Sequence, residues 1–302
     1  MTHGGRAAVT AFDRDTAVGA VGAGRYSARI DRSWWIIAGP NGGYVAAIVL
    51  RAVLAEVADA DRRPRSATFH YLRAPAEGAV EVEVTVERAG RTVTNVSARM
   101  TQGGRTVVTA LVALAVDRDA PVSFDEDPGL PVLSDGSDLP GPEDVAHQDV
   151  DPDRDVAMRS HYDMRWLIGD LPFSHLPSSD LPSSDRPSSD RPSGDDDLRS
   201  DGTARCGGWL RLREEDPVDE LVLVAMADAW LPPLFSRVSA PVVVPTVELT
   251  VRFRGRPVGP DRWCCIEAVS PVARDGYLVE HARLWDRTGR LLAEVSQLAV
   301  IA

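Results

Sequence analysis

An α+β fold made of two copies of one unit is the class this sequence predicts, and three observations predict it. Two apolar helices, over residues 44–57 and 220–235, stand far apart in a chain of 302 residues. Each is followed by segments that alternate apolar and polar side chains, the period-two pattern of half-buried antiparallel strands. The order also repeats: strand, buried helix, then strands with a glycine-containing hairpin before the last. Ala98-Arg99-Met100 and Gly104-Arg105 in the first half match Ala282-Arg283-Leu284 and Gly289-Arg290 in the second. A repeat of this length implies two copies of one supersecondary unit, packed as an intramolecular dimer.

Residues 1–24 are small and weakly patterned and read as an arm. A short strand covers 25–30, and a turn over 33–43 leads into the helix at 44–57, with Asn41 placed to cap it. Strands follow over 66–73, 78–88, 91–101 and 105–116, the last two joined by the hairpin Gln102-Gly-Gly104. His70 reads as a packed or edge histidine on its strand. Residues 121–155, rich in Pro, Asp, Gly and Ser, form a connector between an N-terminal unit (1–120) and a C-terminal unit (156–302). In the second unit a strand over 161–167 precedes four copies of a five-residue Pro-Ser-Asp repeat across 176–195. Proline in every copy and no aromatic residue leave nothing to bury, so about 171–204 reads as a disordered insert. Strands then cover 208–213, 244–254, 263–269, 277–285 and 290–301, with a hairpin at 286–289.

Composition narrows the class. A hydrophobic content of 44 % with 26 % charged residues is that of a globular chain. All 33 basic residues are arginine, and the net charge of −12 argues against nucleic acid as a partner. Cys206, Cys264 and Cys265 make neither a disulfide framework nor a metal site and read as reduced thiols in a cytoplasmic protein. Cys264 and Cys265 are strand neighbours, so their side chains should face opposite ways. No charged-then-apolar leader opens the chain, and its longest apolar runs are too short to span a bilayer. No metal, dinucleotide or other cofactor motif is evident.

The helix at 220–235 carries one carboxylate, Asp228, on the face of Leu221, Val224 and Ala225, while Val222, Met226 and Trp230 make the other face apolar too. A carboxylate in such a helix is buried, which is costly without hydrogen-bond donors and shifts its pKa. It is either a structural cap or a working acid–base group. In the last strand Glu294 and Ser296 mark the solvent face, which puts Leu291, Ala293, Val295, Gln297 and Ala299 on the buried one. Thr246 shares parity with Glu248, Thr250 and Arg252 on the polar face, although its place directly after Pro245 can break that alternation. The glycines before the first helix let backbone N–H groups approach an anion closely, or merely shape a tight turn.

A long helix wrapped by an antiparallel sheet, twice in one chain, resembles the double hotdog fold. Gly39-Pro-Asn-Gly-Gly-Tyr44, Phe69-His-Tyr-Leu-Arg-Ala-Pro75, Gly90-Arg-Thr92 and Gln102-Gly-Gly104 look like the first half of TesB-like acyl-CoA thioesterases. Ala227-Asp-Ala-Trp-Leu-Pro232, Pro245-Thr246 and Val295-Ser-Gln297 fall where that family carries its Asp, Thr and Gln. The resemblance covers most of the chain apart from the arm, connector and insert. It implies hydrolysis of acyl-CoA within fatty acid metabolism, by a water held between Asp228, Thr246 and Gln297. Asn41, Gly42, Gly43 and Tyr44 are the candidates for oxyanion and substrate binding, so the site would be composite across the halves. The first helix carries no carboxylate until Glu56, and Val112 stands where Gln297 would, which implies one site per chain. Two other readings stay open: an acyl-CoA- or lipid-binding module without catalysis, and a hotdog hydratase or dehydratase. Association into a homo-oligomer is also left open.

Overall fold

Twelve strands hydrogen-bond into one antiparallel sheet, and the two helices of the repeat pack against each other beneath it. The structure, a computed structural model, describes residues 9–133, 136–145, 156–169, 203–214, 217–238, 242–256 and 261–302. The Pro-Ser-Asp insert lies outside the described residues, as does part of the connector. The first half consists of α1 (Ala11–Asp15), β1 (Gly19–Gly22), β2 (Arg25–Ile30), α2 (Gly42–Val57), β3 (Arg63–Tyr71), β4 (Gly78–Ala89), β5 (Val93–Gln102) and β6 (Arg105–Ala115). The second consists of β7 (Tyr162–Ile168), β8 (Arg205–Leu212), α3 (Glu220–Met226), β9 (Thr246–Phe253), β10 (Cys264–Arg274), β11 (Tyr277–Asp286) and β12 (Leu291–Val300).

The sheet runs β1-β2-β4-β5-β6-β3-β9-β12-β11-β10-β8-β7, so each half has the same order and the two meet at β3 and β9. Residues 66–70 of β3 pair with 248–252 of β9, and the Thr68 and Thr250 hydroxyls meet at 2.9 Å across that seam. This is an α+β double hotdog.

Most elements lie where the side-chain patterns place them. Asn41 caps α2, its Oδ1 accepting from the Tyr44 N–H at 2.9 Å. The hairpin between β5 and β6 turns on Gly103 and Gly104, both at positive φ, where a side chain would be strained. Cys264 packs in the main core while Cys265 joins Trp209 and Trp285 on the other side of the sheet, as the alternation requires. On β12, Ala293, Val295, Gln297 and Ala299 are buried; Leu291 is only half-buried, because a register shift beside it turns Leu292 inward instead.

The described residues of the arm contain α1, whose N-cap Thr10 accepts from the Asp13 N–H, and the edge strand β1. The structure departs from the expectations in three places. His70 is neither packed nor on an edge; it is exposed on central β3. The described part of the connector is docked on the outer face of the second half: Leu130 and Leu139 pack on the Trp209–Cys265–Trp285 cluster, and the Trp285 Nε1–H donates to Asp127 Oδ1 at 2.7 Å. Finally, α3 stops at Met226 rather than running to 235. Pro232 and Pro233 disfavour helix before them. The Asp228 carbonyl, instead of extending the helix, accepts from Asn41 Nδ2 at 2.6 Å.

One apolar cluster runs through both halves. It includes Ile48, Val49, Leu50 and Val53 of α2, Leu223 and Val224 of α3, and residues of both ends of the sheet. Each such side chain contributes about 1.5–3 kcal/mol on burial, and Arg63 of β3 forms a 2.8 Å ion pair with Glu220 of α3. Separating the halves would strip this core and leave β3 and β9 as bare edges. Neither 1–120 nor 156–302 is therefore expected to fold alone as a soluble monomer. Calorimetry on each fragment checks this, and a cooperative melt from either would show that the halves are independent. Among the described residues no helix is long and apolar enough to cross a membrane.

Candidate active site

The site lies where the N-terminus of α2 abuts the turn after α3. Gly43 makes this approach feasible: a Cβ there would stand 2.4 Å from the Ala225 carbonyl oxygen and 3.0 Å from that of Val224. Asp228 sits in this contact on the first residues past α3. Its Oδ2 accepts from the Gly43 N–H at 3.0 Å and from Asn41 Nδ2 at 3.0 Å. Asn41 thus does two tasks, capping its own helix with Oδ1 and clamping the other half's aspartate with Nδ2.

Burial is the largest influence on the Asp228 carboxyl, pushing it up to about 6. The nearby Gly43 and Gly42 N–H groups, Gln297 and Thr246 pull the other way. The positive end of the α2 dipole acts in the same sense as these donors.

Gln297 reaches the site from the buried face of β12, and its Nε2 donates to Thr246 Oγ1 at 2.7 Å. Strict alternation would turn Thr246 away. Val247 is an extra residue in the ladder, since Leu298 pairs with Glu248 while Ala299 pairs with Thr246. This bulge moves Thr246 onto the face shared by Leu249 and Gln297. Asp228, Thr246 and Gln297 are therefore brought together, from a turn and two neighbouring strands.

The oxyanion candidates divide. Gly43 and Asn41 are at the site, but their N–H groups are spent on Asp228, so they brace the carboxylate instead of standing open to a substrate oxygen. Gly42 lies against it too: a Cβ there would meet Asp228 Oδ2 at 2.9 Å. Tyr44 points elsewhere. Its ring stacks on Trp34, its hydroxyl donates to the Asp15 carbonyl at 2.9 Å, and its N–H serves the Asn41 cap. One residue past Gly43, its side chain leaves the helix about 100° further round.

Three residues emerge that the sequence reading passed over. Tyr71 of β3 donates to the Gly42 carbonyl at 2.8 Å, and burial, followed by the charge of Asp228, holds its phenol well above the ordinary value. Tyr162 of β7 is fully buried, with its hydroxyl lacking a partner among the described residues, and its phenol is raised by burial and then by Asp228. Glu280 of β11 stands directly opposite Gln297. A signal for Glu280 was present, since it shares parity with Leu278, Ala282 and Leu284 in an apolar stripe.

Comparison with known proteins completes the picture. Residues 31–115 match the family model of the acyl-CoA thioesterase N-terminal domain, and residues 142–301 that of the acyl-CoA thioesterase C-terminal domain. A hot dog fold protein of unknown function from Alicyclobacillus acidocaldarius superposes with a TM-score of 0.79 at 22 % identity, over 98 % of this chain and 99 % of its own. A Thermobifida fusca protein proposed to be a thioesterase II gives 0.75 at 28 % identity, over 97 % and 98 %. The acyl-CoA thioesterase II TesB2 of Mycobacterium marinum gives 0.68 at 17 %, over 97 % and 98 %. No curated protein matches the chain. With the C-terminal family model alone spanning more than half of it and the N-terminal model matching most of the first unit, the chain belongs to the acyl-CoA thioesterase family and is a thioester hydrolase.

Proposed function

We propose that acyl-CoA is hydrolysed at Asp228 by one water, which Thr246 and Gln297 hold in line with the thioester carbonyl. The observation that carries this reading is a half-buried carboxylate, poised near neutrality, on which donors from both halves converge. Gln297 donates to the Thr246 oxygen, which leaves the Thr246 hydroxyl proton for Asp228 or a water. Asp228 takes a proton as the water oxygen bonds to the carbonyl carbon. The carbonyl oxygen then gathers charge beside the N-terminus of α2, whose dipole favours it. The C–S bond breaks, and the CoA thiolate leaves with the proton that Asp228 held. Free acid and CoA result.

A hydratase reading finds no support here: among the described histidines, His70 and His281 are exposed and His161 is stacked on Trp34, so none accompanies Asp228. We take the units to be 1–120 and 156–302, with one site between them. The three free cysteines suit a cytoplasmic location.

The shared water has a kinetic signature. Gln297→Ala and Thr246→Ala are each expected to lower kcat about 10–100-fold, and the double variant by much less than the product, because one water is lost only once. Steady-state assay of free-thiol release from acyl-CoA by the four proteins measures this. Multiplicative losses would show that the two residues act separately.

A further inference from the structure

Of the buried carboxyls that the mechanism does not use, Asp163, Glu220 and Asp286 have partners. Glu280 differs: it is 9 % exposed, and its Oε1 has no hydrogen-bond partner among the described residues. Beside it, Gln297, opposite on β12, donates to Thr246, and the Cys206 thiol donates to the Leu231 carbonyl at 3.4 Å. Leu278, two residues before it on β11, clusters with Leu234 and Ala299, and the Trp230 indole N–H in the main core is likewise buried without a partner among the described residues. A buried polar atom without a partner is rare in folded proteins and calls for a missing one.

We infer that Glu280 is a specificity-determining residue whose carboxyl hydrogen-bonds an oxygen on the acyl chain, so that acyl-CoA thioesters bearing a hydroxyl or keto group are preferred over plain alkyl ones. Burial, and then the charge of Asp228, push Glu280 up to about 8, so at neutral pH it is an un-ionised acid with one O–H donor and one carbonyl acceptor. That pair suits a neutral oxygen. An anionic acyl tail would be repelled by Asp228, and a cationic one would meet no charge at Glu280. Residues opposite each other in a ladder have Cβ atoms about 5 Å apart, so the recognised oxygen lies within a few bonds of the thioester that Gln297 attends.

This inference rests on hydrolysis at Asp228 for the position of the thioester. The test compares kcat/KM for 3-hydroxyacyl-CoA and unsubstituted acyl-CoA of equal chain length. Wild type is expected to favour the hydroxyacyl substrate. Glu280→Leu should lower that substrate about 10–100-fold and raise the alkyl one severalfold, inverting the preference. Glu280→Gln, which still donates and accepts, should keep it. Should the leucine variant not fold, Glu280→Ala gives the same ratio. A ratio unmoved by Leu or Ala would overturn the inference, as would an equal fall on both substrates. Loss of turnover on both substrates in Asp228→Asn bears on the base alone, so the two assignments fail separately.

Discussion

Asp228→Asn is expected to fold, bind acyl-CoA and turn it over about 10²–10⁴-fold more slowly, a barrier increase of roughly 3–5 kcal/mol. The amide keeps the shape of the side chain and an acceptor for the Gly43 N–H, but cannot take a proton. In the wild type kcat/KM should rise with pH through about 6, where the half-buried Asp228 ionises, and then level off. Stability runs the other way. The folded carboxyl titrates above its ordinary value of 3.8, so the stabilisation from its retained proton is complete below that pH and is lost as pH rises to about 6. Above this window the asparagine variant, with no charge to desolvate, should melt at or above the wild-type temperature. A purely structural aspartate predicts the reverse pattern: a lower melting temperature with turnover per folded molecule retained. Kinetics and thermal melts at pH 5 and pH 8 separate the two, and near-normal turnover in the folded variant would remove Asp228 from the chemistry.

Gly43→Ala is expected to cost about 2–4 kcal/mol of stability, although alanine is the better helix former by about 1 kcal/mol. The added Cβ would lie 2.4 Å from the Ala225 carbonyl oxygen, and backbone cannot swing aside as a flexible side chain can. α2 must therefore move off α3, taking with it the N–H that holds Asp228. For a chain of this size that is a fall of roughly 4–16 °C in Tm. Gly42→Ala makes an informative control. Its Cβ would meet side-chain atoms only, Asp228 Oδ2 at 2.9 Å and Tyr71 Cζ at 3.1 Å, so it should disturb turnover more than melting. If Gly43→Ala melts with the wild type, the helix contact is looser than these distances require.

The sequence by itself determined the repeat, the strands, the Asn41 cap, the opposed faces of Cys264 and Cys265, and the polar Gln297 in an apolar stripe. These rest on local rules, the two-residue period of a strand and the capping chemistry of a helix end, which act between near neighbours whatever the rest of the chain does. What assembles the site is not local. Asn41 and Gly43 meet Asp228 across 187 and 185 residues of chain, and that contact, with the prolines beyond, ends α3 before the aspartate. Thr246 faces Gln297 only because β12 imposes a register that leaves Val247 over. Tyr44 turns to Trp34, and Glu280 comes to lie beside Gln297, through pairings that no period within one segment encodes. The tertiary structure alone decided these, because a bulge or a helix crossing is set by whichever distant backbone competes for the same hydrogen bonds and the same space.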